Sequence, residues 1–144
     1  MATEKYCRLI DQLCEKLGIE NPESMYETCD LDISDIGFTL SQGEEDDENG
    51  LYVYCDLGSL GELPEATYGQ VLLNVLEANL YMKGDNAPRF GFNSATGDVV
   101  IMHRLEIEEL TIDELTELLT NLINYVPQWR AETLGTSTDT PANG

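Results

Sequence analysis

The stretch that decides the fold runs from Ile36 to Leu57 and reads IGFTLSQGEEDDENGLYVYCDL. Its two outer parts alternate apolar with polar or aromatic residues, and the alternating set is Ile36, Phe38, Leu40, Leu51, Val53, Cys55 and Leu57. A period of two indicates β-strands that each bury one face. The segment 43–50 between them is too charged to pack, and its Asn49-Gly50 pair is typical of a tight turn. The two parts are therefore predicted to form an antiparallel hairpin.

Two further segments show the same period on either side of this hairpin. Before it, Cys29, Leu31 and Ile33 alternate with acidic and small residues, which predicts a preceding strand. After it, Ala87 to Asn93 and Asp98 to Leu105 flank a turn at 94–97, in which Gly97 is available for a positive φ. The sequence thus predicts a second hairpin and five strands in all.

Three segments have the period of an α-helix. The first runs from Thr3 to Leu17, and Gly18 is expected to end it. The second covers about 65–82 and is apolar around much of its circumference, so it needs cover on more than one side. The last begins at the capping box Thr111 to Glu114 and continues to Trp129. The predicted order is α-β-β-β-α-β-β-α, an α+β fold with a twisted antiparallel sheet and three helices.

The length of 144 residues suits one domain, expected over 1–134 with a flexible polar tail at 135–144. No apolar run is long enough for a membrane span, and the acidic N-terminus does not resemble a signal peptide. We therefore expect a cytoplasmic protein.

The formal charge of −21 is the unusual property of the composition. Residues 21–62 carry twelve acidic residues and no lysine or arginine. Such a charge repels phosphates, so it excludes nucleic acid and anionic membrane surfaces as partners. On the simplest interpretation these acids are solvated faces and loops.

The residue types that carry catalysis or bind metal do not form a coherent set. The four cysteines are spaced unlike a zinc site, and His103, the only histidine, lies among apolar residues of a strand. The run from Glu45 to Asp56 resembles a calcium loop only in part, because its twelfth position is not glutamate and strands flank it. We expect no enzymatic activity, no metal and no cofactor.

Apolar and aromatic surface is left over. Tyr52 and Tyr54 lie on the strand face opposite Val53, and Val100 and Met102 lie opposite Ile101. Either one helix covers each face of the sheet, or part of this surface contacts another chain.

At this point several strings in their order resemble a known family. They are Leu51-Tyr-Val-Tyr-Cys-Asp-Leu-Gly58 with Leu63-Pro64, Leu72-Leu73-Asn-Val-Leu76-Glu-Ala-Asn79, Phe90-Gly-Phe92, the Thr96-Gly97 turn, Val99-Val-Ile101 and a long last helix with Trp129. Over about residues 4–132 the chain resembles the class I chaperones of bacterial type III secretion, the Tir-chaperone (CesT-like) family.

The resemblance implies a cytoplasmic homodimer without enzymatic activity that binds the N-terminal segment of a secreted effector, keeps it extended and presents it for export. It also implies the export machinery, with the secretion ATPase as a candidate, as a further partner. The helix 65–82 would be the dimer element, and its interface residues would be Leu72, Leu73, Leu76, Asn79 and Leu80. Apolar patches on the first helix and the sheet would take the effector, partly by strand addition. The candidates there are Leu9, Leu13, Phe38, Leu40, Tyr52, Tyr54 and Met102.

A different function class remains open beside this one. A strongly acidic small protein can act as a regulatory decoy that sequesters a basic partner. Salt separates the two, because a complex driven by charge weakens by decades between low and moderate salt, whereas an apolar groove retains its partner.

Overall fold

The computed structural model describes residues 3–84 and 87–135. Within them, three helices and five strands follow one another in the predicted order: α1 Glu4–Leu17, β1 Cys29–Ile33, β2 Ile36–Gln42, β3 Gly50–Ser59, α2 Glu65–Tyr81, β4 Arg89–Asn93, β5 Asp98–Glu106 and α3 Ile112–Leu134. The predicted fold class is confirmed. The tail expected at 135–144 lies outside the described residues, apart from Gly135.

The five strands form one antiparallel sheet in the order β1-β2-β3-β5-β4. One row of neighbours crosses all five strands on the inner face: Leu31, Phe38, Cys55, Ile101 and Phe90. The adjacent row lies on the outer face and consists of Asp30, Thr39, Tyr54, Met102 and Arg89. Because side chains alternate along each strand, these two rows define the chemistry of the two faces.

The inner face and the helices share one hydrophobic core. Tyr6, Ile10 and Leu13 of α1 are buried in it, together with Leu115 and Val126 of α3 and Val71 and Val75 of α2. None of the helices in the described part of the chain is both long and apolar enough to cross a membrane. The outer face, in contrast, carries half-buried and exposed side chains.

The helix ends follow from local sequence. The Thr3 hydroxyl accepts a hydrogen bond from the Tyr6 amide at the start of α1, and Gly18 ends that helix with a left-handed φ of 75°. The capping box of α3 is present in both directions, between Thr111 and Glu114.

The acidic hairpin 43–49 is attached to the sheet, which corrects the expectation that its charge keeps it from packing. The Asp47 carboxylate accepts hydrogen bonds from the Tyr52 hydroxyl and from the guanidinium of Arg104, whose Nε lies 3.1 Å from Asp47 Oδ2. Asn49 donates to Glu106 and accepts from the Glu108 amide. Hydrogen bonds from Arg104 and Tyr52 lower the pKa of Asp47 to about 2. The guanidinium of Arg104 on β5 thus attaches the hairpin to the sheet.

We predict that Arg104→Met lowers the free energy of unfolding by about 1 kcal/mol at neutral pH, since it leaves the neighbouring carboxylates of Asp47 and Glu106 without their cation. Thermal unfolding by circular dichroism measures the change. Lys5→Met is the matched control, because Lys5 and Glu108 are 3.9 Å apart and more exposed. Equal losses in both variants would contradict a special role for Arg104.

Candidate binding surfaces

The first candidate surface is the outward side of α2. Its inward side buries Val71 and Val75, while Leu73, Leu76, Leu80 and Tyr81 are 62%, 64%, 70% and 68% exposed. A contiguous apolar stripe of this kind is unusual on an isolated soluble chain and marks an interaction site. We call these four residues the α2 face.

The structure separates the residues that the sequence assigned to a dimer interface. Leu73, Leu76 and Leu80 lie on the α2 face, whereas Leu72 is half-buried against the core. Asn79 is also half-buried and faces β4. Its Nδ2 donates to the Phe90 carbonyl at 2.9 Å, and its Oδ1 accepts from the Phe90 amide at 2.7 Å.

This double hydrogen bond fixes α2 to the edge strand β4, because the Asn79 amide satisfies both backbone groups of Phe90 that point away from β5. A second contact supports it, since the rings of Tyr68 and Phe92 pack edge to face with their centroids 6.0 Å apart. Asn79 therefore positions the α2 face from within the chain.

The second candidate surface is the outer face of the sheet. Tyr52 and Tyr54 stack with ring centroids 6.5 Å apart, and Tyr54 is paired with the half-buried Met102 on β5. Tyr54 also lines a groove of about 780 Å³, together with Asp30, Thr39, Asp56, Asp98 and Val100. The outer face thus combines aromatic and apolar side chains with carboxylates.

Four of the seven residues predicted to contact an effector do not lie on a surface. Leu9 and Leu13 of α1 and Phe38 and Leu40 of β2 are buried in the core. For the two residues of β2 the reason is the sheet register. Phe38 pairs with Cys55 and Leu40 with Val53, so both point away from the face that carries Tyr54. The expectation that these four form surface patches is wrong. Tyr52, Tyr54 and Met102 lie on the outer face, as their alternation predicted.

Sequence reasoning missed a pair of carboxyl groups on the outer face. Asp56 of β3 shares a hydrogen bond with Asp98 of β5, and its Oδ1 also accepts from the Gly58 amide at 3.0 Å. Burial, followed by the contact with Asp98, raises the pKa of Asp56 to about 6. The two residues are far apart in sequence, and the irregularity in β3 between Asp56 and Gly58 sets their alignment. No local sequence pattern predicts a contact between two residues so far apart.

Burial also shifts the pKa of the single histidine and of two cysteines. Burial lowers the pKa of His103, and burial raises the pKa of Cys29 and Cys55 to about 12, so both thiols stay protonated at neutral pH. Among residues 3–84 and 87–135, no group of three or more histidine, cysteine or acidic side chains is arranged to hold a metal ion.

Comparison with known proteins gives one family and several similar structures. The model of the Tir chaperone protein (CesT) family matches residues 8–130. A chain in the crystal structure of the ExsC–ExsE complex superposes with a TM-score of 0.71 at 19% identity, covering 97% of this chain and 100% of that one. No curated protein sequence matches this chain.

Two other solved structures have the same fold. A chain of the HopA1–SchA chaperone–effector complex has a TM-score of 0.62 at 21% identity, covering 88% of this chain and 93% of that one. A chain in the structure of the Yersinia pestis type III secretion chaperone SycH with a fragment of YscM2 has a TM-score of 0.58 at 19% identity, covering 84% of this chain and 96% of that one.

We predict that Asn79→Ala lowers the free energy of unfolding by about 1–3 kcal/mol, because it leaves the partly buried backbone groups of Phe90 without partners. Asn74→Ala on the same helix is the control, since Asn74 is exposed and gains the same helix propensity. Urea denaturation of both variants measures the difference, and similar midpoints would show that the Asn79 contact does not stabilise α2.

Proposed function

The chain belongs to the Tir chaperone protein (CesT) family, and we propose that it is a homodimeric chaperone of bacterial type III secretion. It binds the N-terminal segment of a secreted effector in the cytoplasm, keeps that segment extended and soluble, and presents it for export. Its action is binding, without a chemical step on the effector.

The outer face of the sheet carries this proposal. Tyr54 is 37% exposed and lies beside Met102, so an aromatic ring and a flexible thioether are available to a partner. Such side chains adapt to several sequences, which suits a segment that has no fold of its own. The HopA1–SchA structure, which shares this fold, is described as a chaperone–effector complex.

The α2 face supports the homodimer. Leucines at 73, 76 and 80 follow helical spacing, so a second copy of the same helix offers a complementary surface under two-fold symmetry. Burying four large apolar side chains per chain favours association through the hydrophobic effect. Asn79 and the Tyr68–Phe92 contact hold this helix in a defined orientation before the copies meet.

We predict that Leu76→Asp converts the protein from twice the chain mass to the single-chain mass of 16.0 kDa, since a carboxylate buried in the interface lacks a partner. Light scattering after size exclusion at tens of micromolar measures the mass. Leu17→Asp is the control, because Leu17 is an exposed leucine on α1, away from the α2 face. A wild type of 16.0 kDa, or an unchanged mass of the Leu76 variant, would contradict the dimer.

We predict that the N-terminal segment of a secreted protein encoded beside this chain co-purifies with it on co-expression. Tyr54→Ala should weaken the complex by about 1–2 kcal/mol, through the loss of aromatic contact area. Tyr125→Ala is the matched control, because Tyr125 of α3 is equally exposed at 37%. Calorimetric titration of the purified partners measures both variants.

The salt dependence of binding distinguishes this function from that of an acidic decoy. The chaperone complex is expected to lose less than tenfold in affinity between 0.1 and 0.5 M NaCl, because most of its contacts are apolar. A decoy that holds a basic partner through the charge of −21 would lose several decades.

A further inference from the structure

Two glycines open the groove on the outer face. Gly37 of β2 and Gly91 of β4 lie on either side of the neighbouring pair Asp56 and Val100. A Cβ at Gly37 would be 3.8 Å from Asp56 Cβ, and one at Gly91 would be 3.5 Å from Val100 Cγ2. Both are ordinary van der Waals distances, so a side chain would fit the fold at either position and would fill the groove.

The backbone does not require these glycines. Neither has a positive φ, unlike Gly58 and Gly97, and glycine weakens a strand relative to residues with a side chain. Because these two positions carry no side chain, open space remains above the outer face of the sheet. Glycine inside a strand often marks the close approach of a ligand or of another backbone.

The floor of that space combines an apolar side chain with an acidic pair. The side chain of Val100 lies next to Asp56, and Asp56 and Asp98 share a hydrogen bond. A hydrogen bond between two carboxyl groups needs one proton, because two carboxylates in contact repel each other. Protonation of Asp56 therefore lowers the negative charge of the groove, and loss of that proton raises it.

The charged groups around the pair favour an incoming cation. Asp30 of β1 lines the same groove, and β4 contributes the uncharged Asn93. Arg130 of α3 is near Asp56, but its guanidinium donates to the main-chain carbonyls of Leu57, Asp35 and Asp56. Attraction by Arg130 lowers the pKa of Asp56, but by less than burial and Asp98 raise it.

We propose that the groove over Gly37, Asp56, Val100 and Gly91 is a docking subsite for a lysine or arginine of an extended partner segment. The cation sits on the Asp56–Asp98 pair, and the apolar side chain two residues away in the segment, which points to the same side, rests on Val100. This inference rests on the proposed chaperone function, and it describes the client as carrying one basic residue two positions from an apolar residue.

Binding of the cation displaces the shared proton. Asp56 has a pKa of about 6 in the free protein, so at pH 5.0 about one molecule in ten has the ionised form that the cation needs, whereas nearly all have it at pH 7.5. The affinity for a cationic segment therefore rises about tenfold from pH 5.0 to pH 7.5. Below about pH 6 the groove therefore binds the cation progressively more weakly.

The pair itself has a stability signature. The raised pKa means that ionisation of Asp56 opposes folding, an effect fully present above about pH 6 and absent below pH 4. Asp56→Asn should therefore raise the melting temperature at pH 7.5 by about 2 °C and by about half as much at pH 5.0. An equal effect at both pH values would overturn the shared-proton arrangement.

The test uses the full chain labelled with ¹⁵N and two blocked peptides, acetyl-Val-Ser-Arg-amide and its citrulline counterpart, which has nearly the same shape without the charge. Chemical-shift titrations at pH 7.5 and 5.0 give site and affinity together. We expect the arginine peptide to shift the amides of residues 37, 56, 91, 98 and 100, and to bind about tenfold more weakly at pH 5.0. The citrulline peptide should leave them unchanged.

Three variants check the residues. Asp56→Asn should weaken the arginine peptide about tenfold and abolish the pH dependence. Gly91→Val should block binding while leaving the melting temperature unchanged or raised, since valine favours a strand. Glu117→Gln is the control, because Glu117 is an exposed acid of α3 that does not line the groove.

Equal shifts with both peptides, shifts confined to the acidic hairpin 43–49, or full binding by Gly91→Val would each overturn the subsite. A co-purified effector segment that binds Asp56→Asn as tightly as wild type would also overturn it, while the chaperone function would stand. Absence of any effector complex, with intact arginine binding in the groove, would instead contradict the chaperone function and leave the subsite in place.

Discussion

The register of β3 against its two neighbours determines most of this structure. Phe38 and Ile101 flank Cys55 on the inner face, and one residue further along β3, Tyr54 has Thr39 and Met102 as its neighbours on the outer face. A slip by one residue would place carboxylates and tyrosines in the core and leucines in water, so the hydrophobic effect fixes the register strongly. The helices then cover the inner face alone, which leaves the outer face and one side of α2 uncovered by the rest of residues 3–84 and 87–135.

The sequence predicts this architecture well because the signals are local. Alternation of period two marks the strands, and Thr111, Glu114 and Gly18 mark helix ends by hydrogen bonds within one turn. It also places Tyr52, Tyr54 and Met102 on one face. The alternation also places Phe38 and Leu40 inside the fold. The wrong expectation that they form surface patches came from the resemblance to the family.

The contacts that sequence reasoning missed all join distant positions. Arg104 meets Asp47, Asn79 meets Phe90, and Asp56 meets Asp98. Each depends on the pairing of β5 with β3 or on the placement of α2 beside β4. In a chain with 28 acidic residues, composition alone does not tell which carboxylates have partners. Here hydrogen bonds from Arg104 and Tyr52 lower the pKa of Asp47, whereas burial and contact with Asp98 raise the pKa of Asp56, so the fold gives these two carboxyl groups opposite properties.

The short strand β1 forms one edge of the sheet, and its outward side chains include the exposed Asp30 and Asp32. Backbone groups at a sheet edge can pair with any extended chain, which exposes many β-proteins to stacking with their own kind. Two copies that met edge to edge at β1 would bring four carboxylates together across a narrow seam. The same side chains attract a strand that carries positive charge. The negative charge of this edge therefore opposes edge-to-edge growth of the sheet into fibres, whereas it would not oppose pairing with a basic strand of another protein.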